Sequence, residues 1–161
     1  MTDSHATAIN VNDVDARTGT TYPKVFRNEV SSRSKRVLGD LFGLTNYGVN
    51  LVDLPPGSWS AQRHWHTREE EFIYVLSGEL TLITDEGTQL LTVGMVAGFP
   101  AGEANGHHLV NNGDVTASYL EIWDRIDEDE VFYPDIDLQR VSAGAGERVF
   151  THRDGERYDK E

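Results

Sequence analysis

The stretch HWHTREEEFIYVLSG, residues 64–78, decides how this chain is to be read. It holds His64 and His66 with one residue between them, then Glu71 after four intervening residues, then Gly78 after six more. Histidines at i and i+2 of a strand point to the same face, and Trp65 between them points away. The apolar run at 72–76 starts a second strand, and residues 67–70 are enough to turn a corner between two paired strands. Two imidazoles and a carboxylate therefore converge on one interior face, a donor set suited to zinc, iron, manganese or nickel. Of the three consecutive glutamates only Glu71 keeps both spacings, so Glu69 and Glu70 are read as a solvated face.

About thirty residues further on lies a second cluster: Gly94, Pro100, Gly102, His107 and Asn111. Gly94 fits a turn, and residues 100–102 form another that delivers His107 onto a strand. His107 completes a set of three histidines and one carboxylate, leaving one or two positions open on a five- or six-coordinate metal. His108 adjoins it, but strand neighbours face opposite ways, so only one of the two enters the interior. The apolar alternation favours His107. On that register Leu109 faces the core, and His108 and Val110 face outward.

The two clusters, in this order, resemble the two motifs of the cupin family, over roughly residues 46–124. Two departures stand out: six rather than five residues separate Gly57 from His64, and two extra residues precede His107. The segments GDLFGLTNYGVNLVDLPPG and YPDIDL resemble those of small single-domain bacterial cupins. The resemblance implies a double-stranded β-helix, a small jelly-roll barrel whose interior holds one divalent metal. The spacing to Asn111 that it implies also favours His107.

Working outward, the residues give the same fold class without the resemblance. Short alternating runs are separated by turns every eight to twelve residues, as in an all-β sandwich or barrel, and Gly and Pro interrupt too often for long helices. Ser77-Gly78 and Asn112-Gly113-Asp114 read as hairpin turns, as does Asp85-Glu86-Gly87. Residues 1–21 are read as a mobile N-terminal arm, 22–135 as the barrel and 136–161 as a C-terminal tail. SSRSKR, 31–36, reads as a solvated basic patch. VFYPDIDL, 131–138, reads as an edge strand because Pro134 bars a central one. Gly144-Ala145-Gly146 is too short for a dinucleotide loop.

Composition narrows the partners. The 161 residues carry 14 Lys and Arg against 27 Asp and Glu, a formal charge of −13. That argues against nucleic acid or an anionic membrane surface as the main partner. There is no cysteine, so any metal is held by nitrogen and oxygen. No apolar run reaches spanning length, and the first twenty residues lack the pattern of a secretory signal, so a cytoplasmic protein is expected.

The expected function is a metal-dependent reaction on a small oxygen-rich metabolite: an oxo acid, an enediol or a sugar acid. The metal acts as Lewis acid or activates dioxygen. The alternation of Tyr119, Glu121 and Trp123 points a carboxylate into the barrel, making Glu121 and Tyr119 candidate acid–base groups. Arg63 and Gln62 are candidates for orienting an anionic ligand. The alternative is a non-catalytic module that binds or senses a small molecule through its metal. A homodimer is expected from the open sheet edges of a small barrel and from the resemblance, with residues 1–21 and 131–138 as exchange elements.

Overall fold

The computed structural model describes residues 7–144 and 146–159, so residues 1–6 of the expected arm and Ala145 lie outside the described residues. The described residues form thirteen strands: β1 Arg17–Thr18, β2 Ser34–Val37, β3 Tyr47–Leu54, β4 Trp65–His66, β5 Glu71–Ser77, β6 Glu79–Thr84, β7 Gly87–Thr92, β8 Val96–Phe99, β9 His108–Val110, β10 Ala117–Asp124, β11 Val131–Tyr133, β12 Leu138–Gly144 and β13 Glu147–Thr151. The order β1-β2-β3-β10-β5-β8 makes a six-stranded antiparallel sheet. Facing strands form two smaller sheets, β7-β6-β9 and β13-β12-β11-β4.

Alternation puts one face of each strand inside. Along β3 the buried positions are Gly48, Asn50, Val52 and Leu54, and along β5 they include Ile73 and Val75. Val52, Leu54, Ile73 and Val75 pack against Leu80, Leu82, Leu91 and Leu109 of the three-stranded sheet. Each such side chain contributes about 1.5–3 kcal/mol when fully buried. A second cluster, with Tyr22, Val30, Val131, Tyr133 and Leu138, fills the other end.

Several turns differ from their sequence reading. Gly78 does not close a hairpin: β5 pairs with β10 and β8, whereas β6 pairs with β7 and β9. The chain there crosses from one layer to the other, with Gly78 at φ +68°, where an added Cβ would lie 2.9 Å from Ala117. The turn at 112–114 likewise crosses between layers, since β9 and β10 are not paired. Of the three turns read as hairpins, the one at Asp85-Glu86 closes one, with Thr84 opposite Gly87. Alternating strands flank both kinds of turn, so the pattern cannot separate a hairpin from a crossing.

The segment 131–138 is also corrected. β11 lies between β12 and β4 and is not an edge, because it ends at Tyr133, one residue before the proline. Residues beyond 136 form the β12–β13 hairpin, with Leu138 fully buried. In the expected arm, Arg17 and Thr18 pair with β2. The basic patch is part of a strand, and Arg33 and Lys35 face an internal cavity.

Candidate metal centre

β4 and β5 do not pair with each other. β4 pairs with β11, and residues 67–70 carry the chain across to β5 in the opposite layer. His64 and His107 sit directly opposite each other, exchanging backbone hydrogen bonds of 3.2 and 2.8 Å, so their side chains share a face. The next bridge pairs Trp59 with Val110. From 59 to 64 is five steps and from 107 to 110 is three, so the first segment carries a two-residue bulge. Bulges occur beside functional sites, and here the direct bridge to His107 fixes the face of His64.

Three ring nitrogens gather around one carboxylate oxygen. Glu71 Oε2 lies 2.6 Å from His107 Nε2, 3.5 Å from His64 Nε2 and 3.6 Å from His66 Nε2. Donor atoms of His64, His66 and Glu71 all fall within 4.8 Å of one another. The His64 ring centroid is 5.1 Å from that of His66 and 4.9 Å from that of His107, and Phe99 stacks on His107 at 3.6 Å.

The tautomers follow from the partners. His64 Nδ1 donates to Gln62 O at 2.8 Å, and His66 Nδ1 donates to Asp129 Oδ2 at 2.6 Å. Both rings therefore turn an Nε2 lone pair inward, as a metal requires. Burial lowers the His64 pKa to about 4, so this imidazole is neutral at ordinary pH. Burial opposes ionisation of Glu71, but the histidines around it, His107 foremost at 2.6 Å, outweigh this and hold its carboxyl well below the usual range. Inward lone pairs on His64 and His66 beside an ionised carboxylate fit a divalent cation.

Asp129 and Glu69 escaped the sequence reading. Asp129 is fully buried, and its Oδ1 accepts from the backbone of Arg68 and Glu69 at 2.9 and 3.1 Å. One side chain therefore orients His66 and clamps the corner between the ligand strands. It sits in the acidic run 127–130. The only signal was register: Val131 lies opposite His66, which brings Asp129 to the corner. Glu69 is 2% exposed rather than solvated, accepting from Arg148 at 2.5 Å and from Ile126 N at 3.1 Å. His66, Glu69 and Asp129 also bring donor atoms within 4.8 Å of one another. Both oxygens of Asp129 and Oε1 of Glu69 already accept from N–H donors, so this cluster supports the centre.

The inner cavity, about 370 Å³, is lined by the donor set together with Arg33, Lys35, Asn50, Tyr119, Glu121 and Arg140. A second cavity of about 440 Å³ reaches His66 and His107 from the side of Trp65 and Phe99. Glu121 Oε1 accepts from Lys35 at 2.8 Å and Asn50 at 3.0 Å. Burial raises its pKa, but the Lys35 charge outweighs burial and leaves it lowered. Burial raises the Tyr119 phenol well above its usual value, with the Glu121 charge adding to the rise. The Tyr119 hydroxyl makes no hydrogen bond of ordinary length.

Arg63 and Gln62 are engaged elsewhere. Arg63 binds Asp135 and Asp85 and donates to Gly106 O at 3.2 Å, bracing the loop that feeds His107. Gln62 Nε2 donates to Phe26 O at 3.0 Å. His108 is buried rather than exposed, edge-on to Trp59 and with Nδ1 3.0 Å from Ala61 O. Val110 is buried as well, because the segment through Trp59 pairs alongside β9.

Residues 50–123 match the cupin domain model. The chain is similar to a solved sugar phosphate isomerase of the cupin superfamily from Silicibacter pomeroyi, with 36% identity over 94% of this chain and 96% of that one, and a TM-score of 0.89. It is similar to a provisionally assigned sugar phosphate isomerase from Acidithiobacillus ferrooxidans, with 34% identity over 80% and 81% of the two chains and a TM-score of 0.71. The polyketide cyclase RemF from Streptomyces resistomycificus shares the fold, at 23% identity over 74% of this chain and 79% of that one, with a TM-score of 0.61. No curated protein matches the chain.

Proposed function

The chain belongs to the cupin superfamily, and from that premise we propose that it is a metal-dependent isomerase of small phosphorylated hydroxy-carbonyl compounds. One observation carries this reading: the three-histidine, one-carboxylate set shares a cavity with an ionised Glu121 and a protonated Tyr119. Likeness to two chains named as sugar phosphate isomerases supports the substrate class.

Aldose–ketose interconversion moves one proton between adjacent carbons and one between their oxygens, with no net redox change. A divalent metal held by His64, His66, Glu71 and His107 would supply Lewis acidity toward carbonyl and hydroxyl oxygens. Glu121 is the candidate base that takes the proton beside the carbonyl and returns it to the neighbouring carbon. Both its contacts with Lys35 and Asn50 fall on Oε1, which leaves Oε2 to face substrate. Tyr119 keeps its proton and serves as donor to the substrate oxygen. The donor set accepts zinc, iron, manganese or nickel. On the same reading the protein works as a cytoplasmic homodimer.

The test is NMR in deuterated water, with triose, pentose and hexose phosphates and protein loaded with each metal in turn. We expect interconversion with deuterium entering at the exchanging carbon. Glu121→Gln should slow it at least 100-fold at unchanged metal content. No interconversion and no exchange with any of these substrates overturns the proposal. The Lys35–Glu121 ion pair favours a second reading, a non-catalytic metal-anchored binding module. Tight binding of a sugar phosphate that is never converted would support it.

A further inference from the structure

Four cationic side chains line the inner cavity: Arg33, Lys35, Arg140 and Arg148. Two are neutralised, Lys35 by Glu121 at 2.8 Å and Arg148 by Glu69 at 2.5 Å. The other two are not. Among the described residues neither Arg33 nor Arg140 forms an ion pair, and the Nε of each is buried without a hydrogen-bond partner. Several other cations among the described residues find carboxylates, as Arg36 does with Asp53, Arg63 with Asp85 and Asp135, and Arg125 with Asp40. With a formal charge of −13, carboxylates are plentiful. Two unpaired guanidinium groups in one cavity carry a desolvation penalty that an anionic ligand would remove.

Register sets where they stand. Arg140 lies opposite Val131, and Val131 lies opposite His66, so the three side chains share the inner face of one sheet. At about 4.8 Å per strand, the Arg140 backbone is about 10 Å from that of His66. Arg33 precedes β2 and follows the inward alternation of Lys35, which sits across from Val52 and then Tyr119. Both guanidinium charges reach the phenol of Tyr22, whose ring packs edge-on to that of Tyr133 at 5.7 Å. Asn50 Oδ1 and Tyr119 Oη, in the same cavity, are also buried without partners.

We infer that Arg33 and Arg140 bind the phosphoryl group of the substrate, across the cavity from the histidine–glutamate set. The inference rests on the sugar-phosphate reading for the rest of the molecule bound, but the anion site stands on the unpaired cations. A guanidinium is a planar fork of donors matched to phosphate oxygens, and two forks suit a dianion with three outward oxygens.

The test is calorimetric titration of metal-loaded protein with inorganic phosphate and, separately, acetate. Phosphate should bind one per chain. Arg33→Met and Arg140→Met should each weaken it at least 10-fold while the metal content stays at one per chain. Arg68→Met, at the exposed pair with Glu128, should change it less than two-fold. Both cavity variants should melt no lower than wild type, since each removes an unpaired charge. Arg33→Lys and Arg140→Lys keep the charge without the fork and should bind phosphate at least three-fold more weakly. Wild-type phosphate affinity in the methionine variants would assign phosphate to the metal instead and overturn the inference. Acetate binding as tightly as phosphate would overturn the phosphoryl assignment. Phosphate binding lost in the variants, with no sugar phosphate interconverted by wild type, sinks the isomerase reading and leaves this site standing. Interconversion with an unchanged KM in both methionine variants does the reverse.

Discussion

Asp129 spends one oxygen on His66 and the other on two backbone N–H groups of the corner before Glu71. Partners of this kind fix a ligating ring, and their loss commonly lowers metal affinity 10–100-fold. Asp129→Asn should do so, read by competition with a chelator, and unchanged affinity would remove Asp129 from the site. His107→Ala should lower metal occupancy sharply, because its Nε2 meets Glu71 at 2.6 Å. His108→Ala should leave occupancy near wild type, because the Nδ1 of this ring is spent on Ala61 O. Elemental analysis of the two proteins decides, and the reverse result would move the ligand to His108. Glu121 gives a pH dependence. Its pKa falls below the ordinary 4.5 in the folded chain, where burial is outweighed by Lys35. The folded state then binds fewer protons than the unfolded, so this stabilisation is present above about pH 4.5 and is lost as pH falls below it. Urea melts of metal-free protein from pH 3 to 7 should show that loss. In Lys35→Met, where burial is no longer outweighed by that charge, the loss on acidification should shrink or reverse, the variant gaining stability relative to wild type as pH falls.

At the scale of elements, the site depends on strands distant in sequence. β4 has only two residues and is held by β11, and β11 is held in turn by the β12–β13 hairpin. Leu138 opens that hairpin, with no exposure, in a cluster with Val131 and Tyr133. Leu138→Ala should destabilise the fold by about 2–5 kcal/mol, as buried leucine truncations do. If the support is real, metal affinity should fall with it, since β4 carries His66. Denaturant melts and chelator competition on the same variant test both effects. A loss of stability with metal affinity intact would separate the hairpin from the centre.

At the scale of the molecule, the six-stranded sheet carries an apolar stripe on its outer face. Phe72, Tyr74 and Leu76 on β5 are 41%, 40% and 41% exposed, and Val96 beside them on the edge strand β8 is 50% exposed. A contiguous patch of this kind marks an association surface, and an open edge strand adds to it. We expect a homodimer through this face, with a scattering mass of about twice the 18.0 kDa chain. Tyr74→Glu should shift it to monomer at micromolar concentration. A wild-type mass of 18.0 kDa would exclude the dimer. No helix among the described residues is long and apolar enough to cross a membrane.

Local chemistry determined much of this protein. The period-two alternation made it all-β, and the spacing of His64, His66, Glu71 and His107 placed four donors on inner faces, because side-chain direction along a strand depends only on parity. Parity does not say which strand lies next to which. The tertiary structure alone decided that Gly78 turns between layers and that the acidic run at 127–130 brings Asp129 beneath His66. It also decided that Arg33 and Arg140, more than a hundred positions apart, face one cavity. Those outcomes depend on non-local pairing, which a linear spacing does not encode, so the donor set was legible in the sequence and the groups that orient it and surround its cavity were not.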